Sequence, residues 1–433
     1  MHRWAVGQSV VVTSSTYNMQ QAEVATIAGI SPDRLTLTLT SPLAYAHEGL
    51  VKRYPGARDA VDLRVEVGML SSNIIITAAD GAQTRGSGGE MFGCALAVSG
   101  ASTAQLDNVA FQYIGQYGVA PGLLFTSLTS SNRSSLTPGG TALTNSALLY
   151  GMDTLVALRG TRASAPVTLS GNVLLHGYDA SMVEVSTPGN TVQGNLALGL
   201  VKEMVRRTQD MSTIAVFDIR VQPNFVTANT AAGSERMGFL LAGPSCSTSS
   251  TLFRNNTAHS ALAGLWLRAS DAAVAEGCTG LFNFTTFLTW DFGVITTRGL
   301  PTSANFTGLV VADTKHVGLL PLFAPGMWDK FQLQLSESTF IGHSRPAVCT
   351  ACTSISSAGR DTGCPSKLSA QSYNQGLPFT PSVGFVAAAF AMVWTIGPER
   401  KAWDGQMGYS TVHGASFVTN TTFADFGGSA GCG

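Results

Sequence analysis

Charge is what this sequence has least of. Asp, Glu, Lys and Arg make up 12% of it, with 25 basic against 26 acidic residues and a formal net charge of −1. That share is about half the usual one, and it leaves no basic stripe for nucleic acid and no footprint for an acidic membrane. Long apolar runs are missing too. Val383–Gly397 is the best of them at about 15 residues, against roughly 20 for a membrane-spanning helix, and it reads as two buried strands. Amphipathic helices are scarce: the window 184–207, EVSTPGNTVQGNLALGLVKEMVRR, carries Pro188 and several glycines. Without crossover helices a doubly wound parallel sheet is excluded. No glycine-rich phosphate loop, nucleophile elbow or H-E-x-x-H is present. Behind Met1 there is neither a basic start nor an apolar h-region.

Self-similarity is abundant. VTANTAAGSERMGFLLAG at 226–243 is echoed by LFRNNTAHSALAGLWLRAS at 252–270, each reading N-T-A, a small or polar run, Gly, then three large apolar residues. Further copies are led by Asn108, Asn145, Asn172, Asn195, Asn283 and Asn305, at spacings of 22 to 37 residues. A repeat of this length made of short apolar strands and Asn/Gly/Ser turns predicts a solenoid. The expected fold is all-β: a right-handed parallel β-helix over 93–433 with loop insertions. Asn145, Asn172, Asn195, Asn229 and Asn256 are expected to stack as a ladder at one turn, because Asn tolerates left-handed backbone angles and bonds its own turn. Gly, numbering 47, and plentiful Ser and Thr fit such a fold, whose outer strand faces Thr, Ser and Asn can cover.

Residues 1–92 lack the repeat. WAVGQSVVVT from Trp4, QQAEVATIAGI, RLTLTLT and LRVEVGMLSSNIIIT read as strands, RLTLTLT as a half-buried antiparallel one. They predict a β-rich domain capping the solenoid, whose end otherwise exposes strand edges. This run, with Trp4, Gly7, Glu23, Pro42, Tyr45, His47, Arg64, Glu66, Gly68 and Asn73, resembles the eight-glycine domain of fibrocystin-type chains and of hyaluronan-depolymerising cell-surface proteins. AGSERMGF at 232–239, FRNNTAHS at 253–260 and GLWL at 264–267 are similar to the β-helix part of the fibrocystin family. The resemblance implies an extracellular or cell-surface module, one piece of a longer chain whose first domain is entered part-way. It implies glycan or protein ligands, and no nucleic-acid partner or membrane insertion by this segment.

Seven cysteines are present. Cys246 and Cys278, each on a loop beside a strand run, are the expected disulfide across neighbouring coils. Cys349, Cys352 and Cys364 lie in a Ser/Gly-rich insertion, with Cys94 and Cys432 elsewhere; their connectivity is not readable from sequence. A zinc site of His343 with the C-x-x-C lacks a second ligand pair, so neither metal nor cofactor is expected. Sequons at Asn132, Asn255, Asn283, Asn305 and Asn420 are candidate glycosylation sites, Asn132 foremost.

β-Helices often host polysaccharide hydrolases, which need two carboxyl groups flanking the bond. Asp153, Asp179 and Glu184 are the weak candidates here. The depolymerising relatives carry a Y-P-x-H-F-H-like run and an I-H-G-T-like run; this chain has GQYGVAPGLLF at 115–125 and LRGT at 158–161, without either histidine element. His176 and His259 are read as turn residues. The expected function is therefore a non-enzymatic, glycan- or protein-binding β-helix. A polysaccharide-degrading enzyme and a structural rod of a cell coat are the alternatives. Trp266, Trp290 and Trp328 are candidates for sugar stacking and equally for core.

Overall fold

The computed structural model describes residues 4–79, 91–128, 140–160, 165–178, 180–201, 214–296, 303–315, 317–321, 332–344, 383–385 and 415–426. From Ile74 onward the chain winds as a parallel β-helix whose strands stack in register on three faces. Face A is built of Gln105–Asp107, Thr141–Thr144, Val167–Ser170, Thr191–Gln193 and Phe225–Thr227. Face B is built of Ile74–Thr77, Val109–Gln112, Ala147–Gly151, Val173–Tyr178 and Leu196–Val201. Face C is built of Leu96–Ser99, Leu123–Thr126, Val156–Arg159, Val183–Val185 and Ala215–Ile219. Three long strands, Thr230–Gly243, Phe253–Ala269 and Cys278–Thr296, then run through the corners, and shorter strands resume at Ser303–Thr307. Ile74–Thr77 already pairs in parallel with Val109–Gln112, so the solenoid starts ahead of the expected boundary at residue 92.

Inward-pointing columns make one core, shared by all faces. Leu143, Leu169, Val192 and Val226 stack from face A, Leu148 and Leu174 from face B, and Leu158, Val185 and Ile219 from face C. Where the repeat reads Gly before its apolar triplet, Gly238, Gly264 and Gly293 stack at the B–C corner. A Cβ on Gly238 would lie 2.6 Å from the Ala258 Cβ, and on Gly264 it would run into Thr286. The corner admits no side chain there.

The asparagines answer the other half of the repeat. Asn172, Asn195, Asn229 and Asn256 are buried at the A–B corner. The Asn195 side-chain oxygen accepts from the Asn172 backbone N–H at 3.0 Å and from its Nδ2 at 2.9 Å, while that Nδ2 also donates to the Leu143 carbonyl at 2.9 Å. Asn195 treats Asn229 in the same way, and Asn229 treats Asn256. Asn145 does not belong to this ladder. It stands one residue earlier, at φ +47°, and Ser146 takes the ladder position, donating its N–H to the Asn172 side-chain oxygen at 3.0 Å. Asn145 belongs to a second, outer row of left-handed residues that includes Asn108, Gly171, Gly194, Asn255, Asn283, Gly308 and Asn420. Asn305 is on neither row; it lies within Ser303–Thr307, opposite Gly280 and Gln334. A second buried pair, Asn190 and Asn224, joined at 2.8 Å, was not read from the sequence.

Residues 4–70 form a small antiparallel unit. Ser9–Val12 lies between Glu23–Ile30 and Val67–Met69, and Gly49–Lys52 pairs with Val61–Arg64. Leu37–Leu39 pairs on the edge of Glu23–Ile30, but Leu35 is 85% exposed, so RLTLTLT is more open than its alternation predicts. The unit lies along face B rather than over an end. Val11 and Leu70 pack on Leu149, Leu175, Leu198 and Ala232, and Tyr17, Tyr54 and Leu63 pack with Phe287, Ala312 and Ile341. The outward residues of face B are therefore apolar, where Thr, Ser and Asn were expected. A strand buried on both faces reads as a continuous apolar run, as ALLY, VLLH and LALG do at 147–150, 173–176 and 196–199.

Candidate functional site

Of the candidate carboxylates, Asp179 lies outside the described residues. Asp153 ties turns: its oxygens accept from the N–H groups of Gly118 and Thr154, both at 2.7 Å. Glu184 has a different neighbour from those expected. On the outer side of face C it pairs in register with Asp218 on the next coil. Arg159 grips Glu184 through two hydrogen bonds at 2.8 and 2.7 Å, Arg220 adds a contact at 3.2 Å, and Ser186 donates at 2.8 Å. Arg220 also bonds Asp218 at 2.7 Å, and Arg268 stands 3.8 Å from its other oxygen. Burial pushes the Glu184 carboxyl up, but the bond from Arg159 and the charge of Arg220 outweigh it and hold the group below the usual range. For Asp218 burial wins over Arg220 and Arg268, and its carboxyl is raised.

Opposite shifts in neighbouring carboxyls are what acid–base pairs show. Access is what this pair lacks. The side chains are 4% and 1% exposed, and the Glu184 oxygens are already engaged. A general acid or base must reach the proton that it moves. Asp218, which sequence reading missed, had a signal: D-I-R at 218–220 places an acid and a base on one strand face, and E-V-S at 184–186 repeats the spacing one coil earlier.

Two further sites lie where the N-terminal unit meets the solenoid. His259, fully buried, bonds Glu66 through Nε2 at 2.9 Å, contacts the Ser260 hydroxyl through Nδ1 at 3.1 Å and stacks on Phe287 with centroids 4.6 Å apart. Ser260 donates to the Thr16 carbonyl at 2.6 Å, and Thr13 donates to Glu66 at 2.9 Å. The network continues through the Thr13 carbonyl to His47 at 2.8 Å and on to Glu23 at 2.9 Å, which accepts the N–H groups of Ala44 and Tyr45. Burial raises the Glu66 carboxyl, but His259 and Thr13 together bring it below its ordinary value. Beside this latch a groove of about 660 Å³ runs between Arg58–Glu66 and the A–B corner; Arg58, Asp62, Arg64, Asn255, Asn283 and Glu337 are among its lining residues.

The remaining expectations resolve as follows. Cys246 and Cys278 are bridged, with Cα atoms 5.5 Å apart. Cys349, Cys352, Cys364, Cys432, Asn132 and Trp328 lie outside the described residues. Among the described residues no metal-binding cluster occurs. Asn255, Asn283 and Asn420 are exposed on the outer left-handed row, while Asn305 is half-buried. Trp266 and Trp290 are core, at 6% and 1% exposure. Tyr113, Tyr150 and His176 stack on successive coils, with centroids 5.3 and 5.7 Å apart, so their ring faces are spent on each other. No helix among the described residues is long and apolar enough to cross a membrane.

This architecture defines a class: a parallel β-helix with an antiparallel β unit laid along one face and latched there by the buried His259 bonded to the part-buried Glu66. No family model matches the chain. Human fibrocystin-L is 23% identical over 449 residues, covering 98% of this chain and 10% of the relative. Fibrocystin of the dog, Canis lupus familiaris, is 28% identical over 327 residues, 73% of this chain and 7% of the relative. Mouse fibrocystin is 25% identical over 438 residues. Over most of its length the chain is similar to fibrocystin and fibrocystin-L, and it spans about a tenth of the length of the curated relatives that it matches.

Proposed function

We propose that the chain is a non-enzymatic, extracellular or cell-surface β-helix module of a fibrocystin-like protein, binding glycan or protein ligands. The observation that carries this reading is the groove between the N-terminal unit and the solenoid. It is concave and lined by charged and amide side chains that can take several polar groups of one ligand. The Cys246–Cys278 disulfide supports an oxidising compartment. The one other reading, a polysaccharide-cleaving enzyme, would rest on the register pairing of the Glu184 and Asp218 carboxyls on neighbouring coils.

The test is a glycan array and a cell-surface binding assay with the purified chain, beside viscometry of hyaluronan and related polymers. Binding that is lost in Arg64→Ala, with viscosity unchanged, is the expected result. A fall in viscosity that Glu184→Gln abolishes would put the enzyme in place of the module.

A further inference from the structure

Face C carries a row of arginines, separate from the groove. On its outer side Thr126 pairs with Arg159 and Ala242 with Arg268 in parallel register, and on the coils between them Ser186 and Arg220 directly follow the registered pair Val185 and Ile219. An arginine thus recurs on every second coil, and a small residue stands between each pair. Two coils span about 9.6 Å along the axis. In a chain with 12% charged residues, three arginines and two carboxylates on one sheet face are a concentration that core packing does not require.

The carboxylates act as buttresses. Glu184 and Asp218 are buried beneath the guanidinium groups, whose side chains remain 44%, 43% and 38% exposed. Fixing an arginine from below removes rotamer freedom before a ligand arrives, so less is lost on binding. Donors are left over. Arg159 spends Nε and one terminal nitrogen on Glu184, and Arg220 spends Nε on Asp218 and holds one terminal nitrogen 3.2 Å from Glu184. Arg268 stands beyond hydrogen-bond distance of Asp218. The cluster sums to one positive charge.

We infer that this column binds a linear acidic polysaccharide lying parallel to the solenoid axis, with its sulfate or carboxylate groups meeting Arg159, Arg220 and Arg268 in turn. A polymer with one acid group per disaccharide has a repeat comparable to the two-coil spacing. Two oxygens of one carboxylate or sulfate match the guanidinium fork.

The experiment measures affinity of the full chain for dextran sulfate, for hyaluronan and for neutral dextran across a salt series. Binding to an acidic polymer that weakens with salt, and none to dextran, is expected; the acidic arm that binds tells sulfate from carboxylate. Arg268→Ala removes no hydrogen bond of the cluster, so the fold is retained. It should weaken binding about five- to tenfold and lower the log–log salt slope by roughly one. Arg159→Lys, which keeps the charge and loses the fork, should weaken it as well. Arg254→Ala, at an exposed arginine on face A outside the groove, should leave it unchanged. Equal binding to dextran, no effect of Arg268→Ala, or an equal loss in Arg254→Ala would overturn the assignment.

Discussion

Faces B and C are made by the same coils, share one core and differ only in what points outward. On face B the outward positions are Leu149, Leu175 and Leu198, sealed beneath Val11 and Leu70. On face C they are Glu184 and Asp218 beneath arginines, giving way on the next two coils to buried Leu240 and Trp266. Parallel register makes each outward position a column, so one residue type repeated at one offset turns a whole face into a docking seat or a charged stripe. The solenoid supplies geometry, and the outer column supplies the interaction.

Six changes would break or sharpen this contrast. Asn229→Ala should hurt both faces, since the ladder belongs to the shared interior. It strips the acceptor from the Asn195 N–H and Nδ2 and the donor from the Val192 carbonyl. At about 1–3 kcal/mol per orphaned buried group, the loss is roughly 3–6 kcal/mol by denaturant unfolding, whereas Asn145→Ala on the outer row should cost under about 1 kcal/mol. Leu198→Ala should injure face B alone, by about 2–5 kcal/mol. Thr126→Ala, at a half-exposed outer position of face C, should stay within about 0.5 kcal/mol.

Glu66→Gln should loosen the latch by about 1–3 kcal/mol, seen as faster amide exchange on face B with face C unchanged. Its sign with pH is fixed. Glu66 titrates below its ordinary 4.5 when folded, so its stabilisation is complete above the unfolded value of about 4.3 and is lost as pH falls through the folded one. The acid limb of the unfolding profile should therefore be flatter in Glu66→Gln than in the parent. Glu184→Gln should change stability by about 1 kcal/mol or less, because its partners are half-exposed arginines that water can solvate; a calorimetric loss of several kcal/mol would mean that face C depends on its charges as face B does on its cover.

The repeat was legible because Asn and Gly are needed at fixed corners, where amide stacking and the exclusion of Cβ leave few substitutes. Asn145 misled by one residue, because Asn serves both the buried ladder and the left-handed row beside it, and only register separates the two. The disulfide was legible from loop positions one coil apart. The docking of residues 4–70 along face B was not, although the apolar triplets at 147–150, 173–176 and 196–199 carried the signal of strands covered on both sides. The Glu184–Asp218 cluster was half-legible. Glu184 was singled out, but its partner depends on which coils are adjacent, and the insertion between Val201 and Ala215 hides that spacing. His259 was read as a turn residue, since its partner Glu66 is 193 positions away in sequence.

The way the N-terminal unit lies along the solenoid also sets how the rod bears load. A bare solenoid held only by neighbour contacts can peel from its ends one coil at a time. Here Gly68 packs on Val173 and Leu196, Tyr17 donates to the Asp313 carbonyl, and Lys52 reaches Asp425. The unit works as a splint across many coils, so a pull along the axis must shear it off before any coil behind it can unwind.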